Sequence, residues 1–348
     1  MECIKSLILR ITERCNLNCA YCYAADSGCG CSDMTPELAI LAVSECCPEG
    51  GALRIQFTGG EPLLNLDVME AVYAYGKQTG RRLSLAVQTN GTLLTPQICR
   101  RLKAMNCAVG VSLDGLGDAN RYRVFPDGTP AFARIMEGIR NLGEVRIQCN
   151  LTTVVTDANA AALGQLGDLA LWMGNVSGVG LDLFRPLGRG QERTLSPCEK
   201  DLSLGLRELI RKAKQFQKLG IPFRLRELER LKRRQECTGC ADIYCYAQIN
   251  ESLCVDGDGN CWPCSSLAGM DGFLLGNIRE GLPSYDRASL PLFPGDGCRA
   301  CPSYSLCLGG CPAGRVNQKG DPLSAVCMMN RILMEECDYD TNIMPDRH

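Results

Sequence analysis

The sequence predicts an α/β fold: a partial (β/α)6 TIM-like barrel followed by a small cysteine-rich domain. Three observations predict it. Strand-like and helix-like apolar spacings alternate through roughly the first 190 residues. The composition turns basic between Lys200 and Glu236. Beyond Cys237 the chain is rich in Cys, Gly and Pro and carries little apolar periodicity. The expected divisions are residues 1–199, a bridging helical segment 200–236, and 237–348.

The strand-like runs are Ile4–Ile11, Leu53–Thr58, Leu83–Thr89, Cys107–Leu113, Val145–Val155 and Gly178–Phe184. Helical patterns lie between them. Thr35-Pro36-Glu37 reads as a helix start: a capping hydroxyl, proline at the first helical position, an acid in the first turn. Phe132, Ile135, Met136, Ile139 and Leu142 share one helical face. Alternation of this kind implies parallel strands joined by crossover helices. Six such strands make a barrel or a three-quarter barrel, whose sites belong at the C-terminal strand ends.

The segment Lys200–Glu236 holds 12 Lys/Arg against 5 Asp/Glu. Leu202, Leu206, Leu209, Ile210, Ala213 and Phe216 give it an apolar face. It reads as a solvated bridging helix, with a docking surface for an acidic peptide as the sharper alternative. The last segment reads as a domain folded around metal rather than around an apolar core.

Composition narrows the function. The 348 residues are 45% hydrophobic and 22% charged, with a formal net charge of −2. Nothing there suggests nucleic-acid binding. No run of about 18 apolar residues offers a membrane span. The N-terminus moves straight into a strand pattern without the regions of a signal peptide, so a cytoplasmic location is expected. The 24 cysteines stand beside a single histidine, His348. In a reducing compartment, clustered cysteines read as metal ligands rather than disulfides. Thiolates without imidazole select iron–sulfur clusters or zinc.

The first strand leads into Thr12-Glu13-Arg14-Cys15-Asn16-Leu17-Asn18-Cys19-Ala20-Tyr21-Cys22. Cys15, Cys19 and Cys22 can hold three irons of a cubane and leave the fourth open. A closed zinc site needs a fourth ligand, for which Cys29 or Cys31 is available. Thr58-Gly59-Gly60-Glu61-Pro62 ends the second strand, and Gln88-Thr89-Asn90-Gly91 the third. The fourth ends in Ser112-Leu113-Asp114-Gly115, with Asn120-Arg121-Tyr122-Arg123 downstream.

On these residues the chain resembles the radical S-adenosylmethionine superfamily. The resemblance implies a [4Fe–4S] cluster on Cys15, Cys19 and Cys22. It implies S-adenosyl-L-methionine bound by Tyr21, Gly59, Gly60, Glu61, Pro62, Asn90, Ser112, Asp114 and Arg123. Glu61 would meet the methionine ammonium, and Arg123 could pair with the carboxylate. Asp114 reads equally as a turn residue before glycine. The implied reaction is reductive cleavage to a 5′-deoxyadenosyl radical, which abstracts hydrogen from substrate.

Near the C-terminus stand Cys298-x2-Cys301-x5-Cys307-x3-Cys311 and then Cys327. Upstream, Cys245 precedes Gly259 by thirteen residues, and four more lead to Cys264. This is similar to the SPASM domain, whose two auxiliary [4Fe–4S] clusters would make three in all. The resemblance implies one cluster on Cys245, Cys264 and Cys311, and one on Cys298, Cys301, Cys307 and Cys327. For the missing ligand Cys261 is the first candidate, then Cys254 and Cys240, with an open iron as the other option. Cys237, Cys240, Cys261 and Cys264 also have zinc-ribbon spacing.

SPASM enzymes mostly modify peptides or proteins by crosslinking, oxidation or epimerisation. A leader-binding domain is expected to be absent, because the first strand starts at Ile4. A separate leader-recognition protein or direct binding would replace it. Ser265 stands where sulfatase maturases of this kind usually carry an aspartate, which counts against that substrate. The expected enzyme is an anaerobic oxidoreductase fed by a flavodoxin- or ferredoxin-type donor. The alternatives are a radical enzyme acting on a small molecule such as a tetrapyrrole, and a non-catalytic iron–sulfur carrier or zinc-stabilised binding module.

Overall fold

A computed structural model of the chain describes residues 4–25, 32–236, 243–284, 290–316 and 325–336. The six expected strands are present as β1 (Ser6–Thr12), β2 (Ala52–Gly59), β3 (Arg82–Thr89), β4 (Ala108–Ser112), β5 (Cys149–Val155) and β6 (Val176–Leu183). They pair in chain order, each parallel to the next. Parallel pairing demands crossovers. These are supplied by α1 (Pro36–Cys46), α2 (Leu66–Gln78), α3 (Pro96–Ala104), α4 (Phe132–Glu144) and α5 (Gln165–Met173).

Local chemistry explains the element ends. The Thr35 hydroxyl accepts from the Leu38 amide at 3.3 Å, and Pro36 opens α1. In α4, Ile135, Met136, Ile139 and Leu142 are buried as their spacing predicts. The fifth strand starts at Cys149 rather than Val145. Before it, α4 continues to Glu144 and Arg146 takes a left-handed φ of 57° that turns the chain.

Strand alternation divides the sheet into two faces. Leu7, Leu9, Ile11, Ile55, Phe57 and Val111 are wholly enclosed in the main core. Burial of each such side chain stabilises the fold by about 1.5–3 kcal/mol. Many of the alternate positions are polar, among them Arg10, Thr58, Gln88, Ser112, Thr152 and Asp182. Gln88 joins three strands there: its amide donates to Ser112 Oγ at 2.9 Å, and its carbonyl accepts from Thr152 Oγ1 at 3.2 Å.

The sheet extends beyond the six strands. The strand β7 (Arg224–Leu225) adds parallel to β6, and β8 (Ser252–Val255) adds parallel to β1. Two antiparallel strands follow, β9 (Asn260–Trp262) and β10 (Gly276–Asn277). The result is one ten-stranded sheet in the order β10-β9-β8-β1-β2-β3-β4-β5-β6-β7. The C-terminal segment thus covers an edge of β1 that an open barrel would expose. It also has an apolar core of its own, built by Trp262, Leu267, Phe273 and Leu292. This corrects the expectation of a domain without one. These residues come from short strands and turns, so they show no period.

The basic segment forms α6 (Glu199–Lys218) and α7 (Arg226–Glu236). All six residues of the expected α6 face are buried. Short helices α8 (Asp296–Arg299), α9 (Tyr304–Cys307) and α10 (Pro312–Val316) follow, then α11 (Ala325–Glu335). Cations of α6 are paired within the chain. Arg207 binds Glu335 and Glu336, Lys214 binds Glu336, and Lys212 binds Asp168. Their charge fastens neighbouring elements, which favours the bridging reading over an acidic-peptide surface. Among the described residues no helix is long and apolar enough to cross a membrane.

Candidate active site

The three cysteines of the first motif sit on the loop after β1. Cys15 is exposed, Cys22 half-buried and Cys19 buried, and burial pushes the Cys19 thiol up to about 12. Their charges act on one another, as expected of sulfurs gathered at one site. Two N–H groups point at Cys15 Sγ, the Leu17 amide at 3.4 Å and Asn90 Nδ2 at 3.9 Å. Such donors orient and stabilise ligating thiolates. Among the described residues no three Cys, His, Asp or Glu side chains converge closely enough to hold a single metal ion. A cubane, by contrast, takes its thiolates at separate corners.

Glycine chemistry docks the second motif on this loop. The Gly60 amide donates to the Thr12 carbonyl at 2.7 Å, and the Glu61 amide to that of Arg14 at 2.8 Å. A Cβ on Gly60 would stand 2.3 Å from the Arg14 oxygen, and Gly59 needs a φ of 136°. Only glycine permits this approach.

Glu61 is held by groups of three neighbouring segments. Its carboxylate accepts from Thr89 Oγ1 at 2.7 Å, the Asn90 amide at 2.7 Å and the Leu63 amide at 3.1 Å. It is fully enclosed, and burial raises its pKa to about 7. The side chain therefore clamps the ends of β2 and β3 together. Pro62 follows as the first residue of a short 3-10 turn. Asn90 extends the clamp, its Nδ2 donating to Asn16 Oδ1 at 2.9 Å.

Tyr21, Asp114 and Arg123 form a second buried group. The Tyr21 hydroxyl donates to Asp114 Oδ2. Arg123 reaches the same carboxylate through Nε and Nη2, both at 3.0 Å. Its guanidinium also lies 5.3 Å from the Tyr21 ring centre. Arg123 thus pairs with Asp114 at the end of β4. Asp114 is more than a turn residue: it fastens the cysteine loop to the end of β4. Ser112 sits on the polar face, held by Gln88.

The later cysteines gather around a cavity of about 510 Å³ beside the end of β6. Cys245, Cys298, Cys301, Cys307, Cys311 and Cys327 line it. Cys264 acts with Cys311 and Cys245, while Cys327 acts with Cys307, Cys298 and Cys301. Thiols without imidazole, so gathered, suit iron–sulfur ligation by donor chemistry. Cys261 is placed elsewhere. It lies opposite Val255 and packs in the main core, whereas Cys254 lies opposite Trp262 in the second core with Cys264 and Cys311. The Cys261 thiol donates to the Gly259 carbonyl at 3.7 Å. Cys254, buried beside Cys264, is the better placed of the two. Cys3, Cys29, Cys31, Cys237, Cys240, Cys337 and His348 lie outside the described residues.

Several arginines of the site carry no sequence motif. Arg10, enclosed on β1, bonds Glu13 before the cysteine loop through Nε at 2.8 Å, and the Ser265 carbonyl at 3.2 Å. Arg189 donates through Nε to the Cys19 carbonyl and through its amide to that of Cys22, each at 3.1 Å. Arg185 donates to Cys311 Sγ at 3.9 Å. Arg185 and Arg189 follow β6, and a position beyond a C-terminal strand end is the one signal in the sequence that points to them.

Known proteins agree with this geometry. Residues 9–169 match the model of the Radical SAM superfamily. An uncharacterized protein of Methanocaldococcus jannaschii is 31% identical over 300 residues, covering 85% of this chain and 95% of that one. The AdoMet-dependent heme synthase of Methanosarcina barkeri is 30% identical over 283 residues, 78% of each chain. In fold, the chain is similar to native anSMEcpe with bound AdoMet and Cp18Cys peptide, with a TM-score of 0.80 at 21% identity over 97% of each chain. The cysteine loop, its glycine clamp and these relatives together establish that the chain is an enzyme of the radical SAM superfamily.

Proposed function

We propose that this enzyme oxidatively modifies a peptide or protein, using two auxiliary clusters beside its S-adenosylmethionine site. The observation that carries the reading is the gathering of Cys245, Cys298, Cys301, Cys307, Cys311 and Cys327 around one cavity beside the end of β6, with Cys264 packed in the adjoining core beside Cys311. When bound, the first cluster and S-adenosyl-L-methionine supply reductive cleavage and hydrogen-atom abstraction. Cys15, Cys19 and Cys22 would hold that cluster. Gly59, Gly60 and Pro62 set the backbone wall, Glu61 and Asn90 brace it, and Tyr21, Asp114 and Arg123 lock the loop from the other side. Cys245, Cys264 and Cys311, with Cys298, Cys301, Cys307 and Cys327, would hold the auxiliary pair. An external donor of flavodoxin or ferredoxin type would feed the site, and a separate leader-recognition protein could present the substrate.

Support for the peptide class comes from the fold shared with anSMEcpe, solved with a peptide. A second reading has its own support. The heme synthase resemblance spans 78% of the chain and favours a tetrapyrrole substrate. One experiment separates them: anaerobic incubation of reconstituted enzyme with S-adenosylmethionine and either short cysteine- or serine-bearing peptides or an iron porphyrin. The peptide reading expects a peptide mass shift that requires S-adenosylmethionine. A porphyrin shift with unaltered peptides overturns it.

A further inference from the structure

The segment after β6 touches both cluster loops. Gly188 and Arg189 sit against the first: a Cβ on Gly188 would lie 2.4 Å from the Cys22 carbonyl oxygen, and Arg189 bonds Cys19 and Cys22. Three residues earlier, Arg185 donates through Nη2 to Cys311 Sγ at 3.9 Å. The same guanidinium feels the charges of Cys311, Asp182, Tyr23 and Cys264. Tyr23 directly follows Cys22 and is hydrogen-bonded to Ser265, the neighbour of Cys264. Arg185 therefore stands between the catalytic loop and the three-thiol group.

Neighbouring cations are spent differently. Arg315 donates to the carbonyls of Gly309, Gly310 and Leu292. Arg226 bonds Glu227, Asp182 and the Leu181 carbonyl. Arg230 lies over the Tyr244 ring at 4.5 Å. These three hold loops and side chains in place. Arg185 instead directs an N–H at a sulfur.

That difference has an electrostatic consequence. A cluster bound by thiolates is negatively charged, and one-electron reduction adds another negative charge. A fixed cation and an N–H bond to a ligating sulfur favour the reduced form more than the oxidised one. The effect is strongest where water is excluded. The guanidinium stays charged at all working pH values.

We propose that Arg185 is a positioning residue that raises the reduction potential of the first auxiliary cluster. This rests on the auxiliary clusters proposed above. The test uses the full chain with Cys15, Cys19 and Cys22 replaced by Ala, so that only auxiliary signals remain. Iron content and an EPR-monitored potentiometric titration are compared for this parent, R185Q and R185K. The expected result is unchanged iron, a midpoint moved to more negative potential in R185Q, and partial recovery in R185K. An unmoved midpoint with full iron overturns the proposal, as does loss of iron from both variants, which would make Arg185 a scaffold. A parent without auxiliary iron would sink the cluster assignment itself, a failure visible before any arginine variant is read.

Discussion

The phenol of Tyr21, set between two cysteines of the catalytic loop, donates its proton to the carboxylate of Asp114 at the end of β4. The same carboxylate balances the buried guanidinium of Arg123. Breaking the two interactions has consequences of different size. Replacing Tyr21 by Phe removes one donor, but Asp114 Oδ2 still accepts from Arg123 Nε at 3.0 Å. No acceptor is orphaned, so the cost should be about 1 kcal/mol. Asp114→Asn leaves a buried cation without its counter-charge. That should cost about 3–5 kcal/mol. Denaturant titrations of the two variants test the ranking, and an equal loss in both would show that the ion pair stabilises the loop no more than the phenol does.

Glu61 makes stability depend on pH. Its folded pKa of about 7 lies above the ordinary carboxyl value of 4.5, because burial outweighs three hydrogen bonds to the carboxylate. The folded state therefore holds a proton that the unfolded state has released between those values. Stability contributed by this group is full below about 4.5 and falls as pH rises to about 7. The whole change is about 3 kcal/mol. Glu61→Gln cannot titrate. The melting-temperature gap between wild type and E61Q should shift in favour of E61Q between pH 5.5 and pH 8. A gap independent of pH would show that Glu61 is ionised throughout.

The glycine pair makes a sharper demand. In Gly60→Ala the new methyl meets backbone oxygens of Arg14 and Glu13 at 2.3 and 2.6 Å. Backbone cannot swing aside as a side chain can, so the motif must retreat from the cysteine loop. A displacement near 1 Å at a reacting site costs roughly 100-fold in rate. We expect 5′-deoxyadenosine formation in G60A to fall by about that factor. Circular dichroism should still show a folded chain. Wild-type turnover in G60A would mean the loop adjusts freely.

Local signals are legible in the sequence and distant ones are not. The α1 start at Thr35-Pro36, the buried face of α4 and the three-cysteine loop each depend on residues within a turn or two. The clamp by Glu61 is partly legible: its motif is visible, but its partners Thr89 and Asn90 sit on another strand. Arg10 meets Ser265 and Arg185 meets Cys311 only because β8 pairs with β1 and brings the C-terminal cysteines to the barrel mouth. A four-residue strand with no alternation of burial leaves no periodic trace of that pairing. The bond of Arg123 to Asp114 is hidden for a different reason, since it depends on the conformation of the loop between them.

Cys261 and Cys264 give the decisive comparison for the auxiliary ligands. They are separated by two residues, yet the strand pairing places them in different environments. Cys261 is enclosed in the main core, and its thiol is satisfied by the Gly259 carbonyl. There burial pushes its pKa up to about 12, as suits a neutral thiol packed as a small hydrophobe. Cys264 is also raised to about 12 by burial, but next by the thiols of Cys311 and Cys245. That neighbourhood is what a cluster ligand needs, since bound iron supplies the positive charge that stabilises thiolate. Cys261→Ala should therefore keep the full iron content of the reconstituted enzyme and lose only packing. Cys264→Ala should lose about four irons per chain, one cubane. Cys254→Ala decides the remaining place: a loss matching that of Cys264→Ala would make Cys254 the fourth ligand. Iron assay with absorbance near the thiolate–iron band reads all three. Loss of about four irons from C261A alone would reverse the assignment and require the β9 strand to turn over.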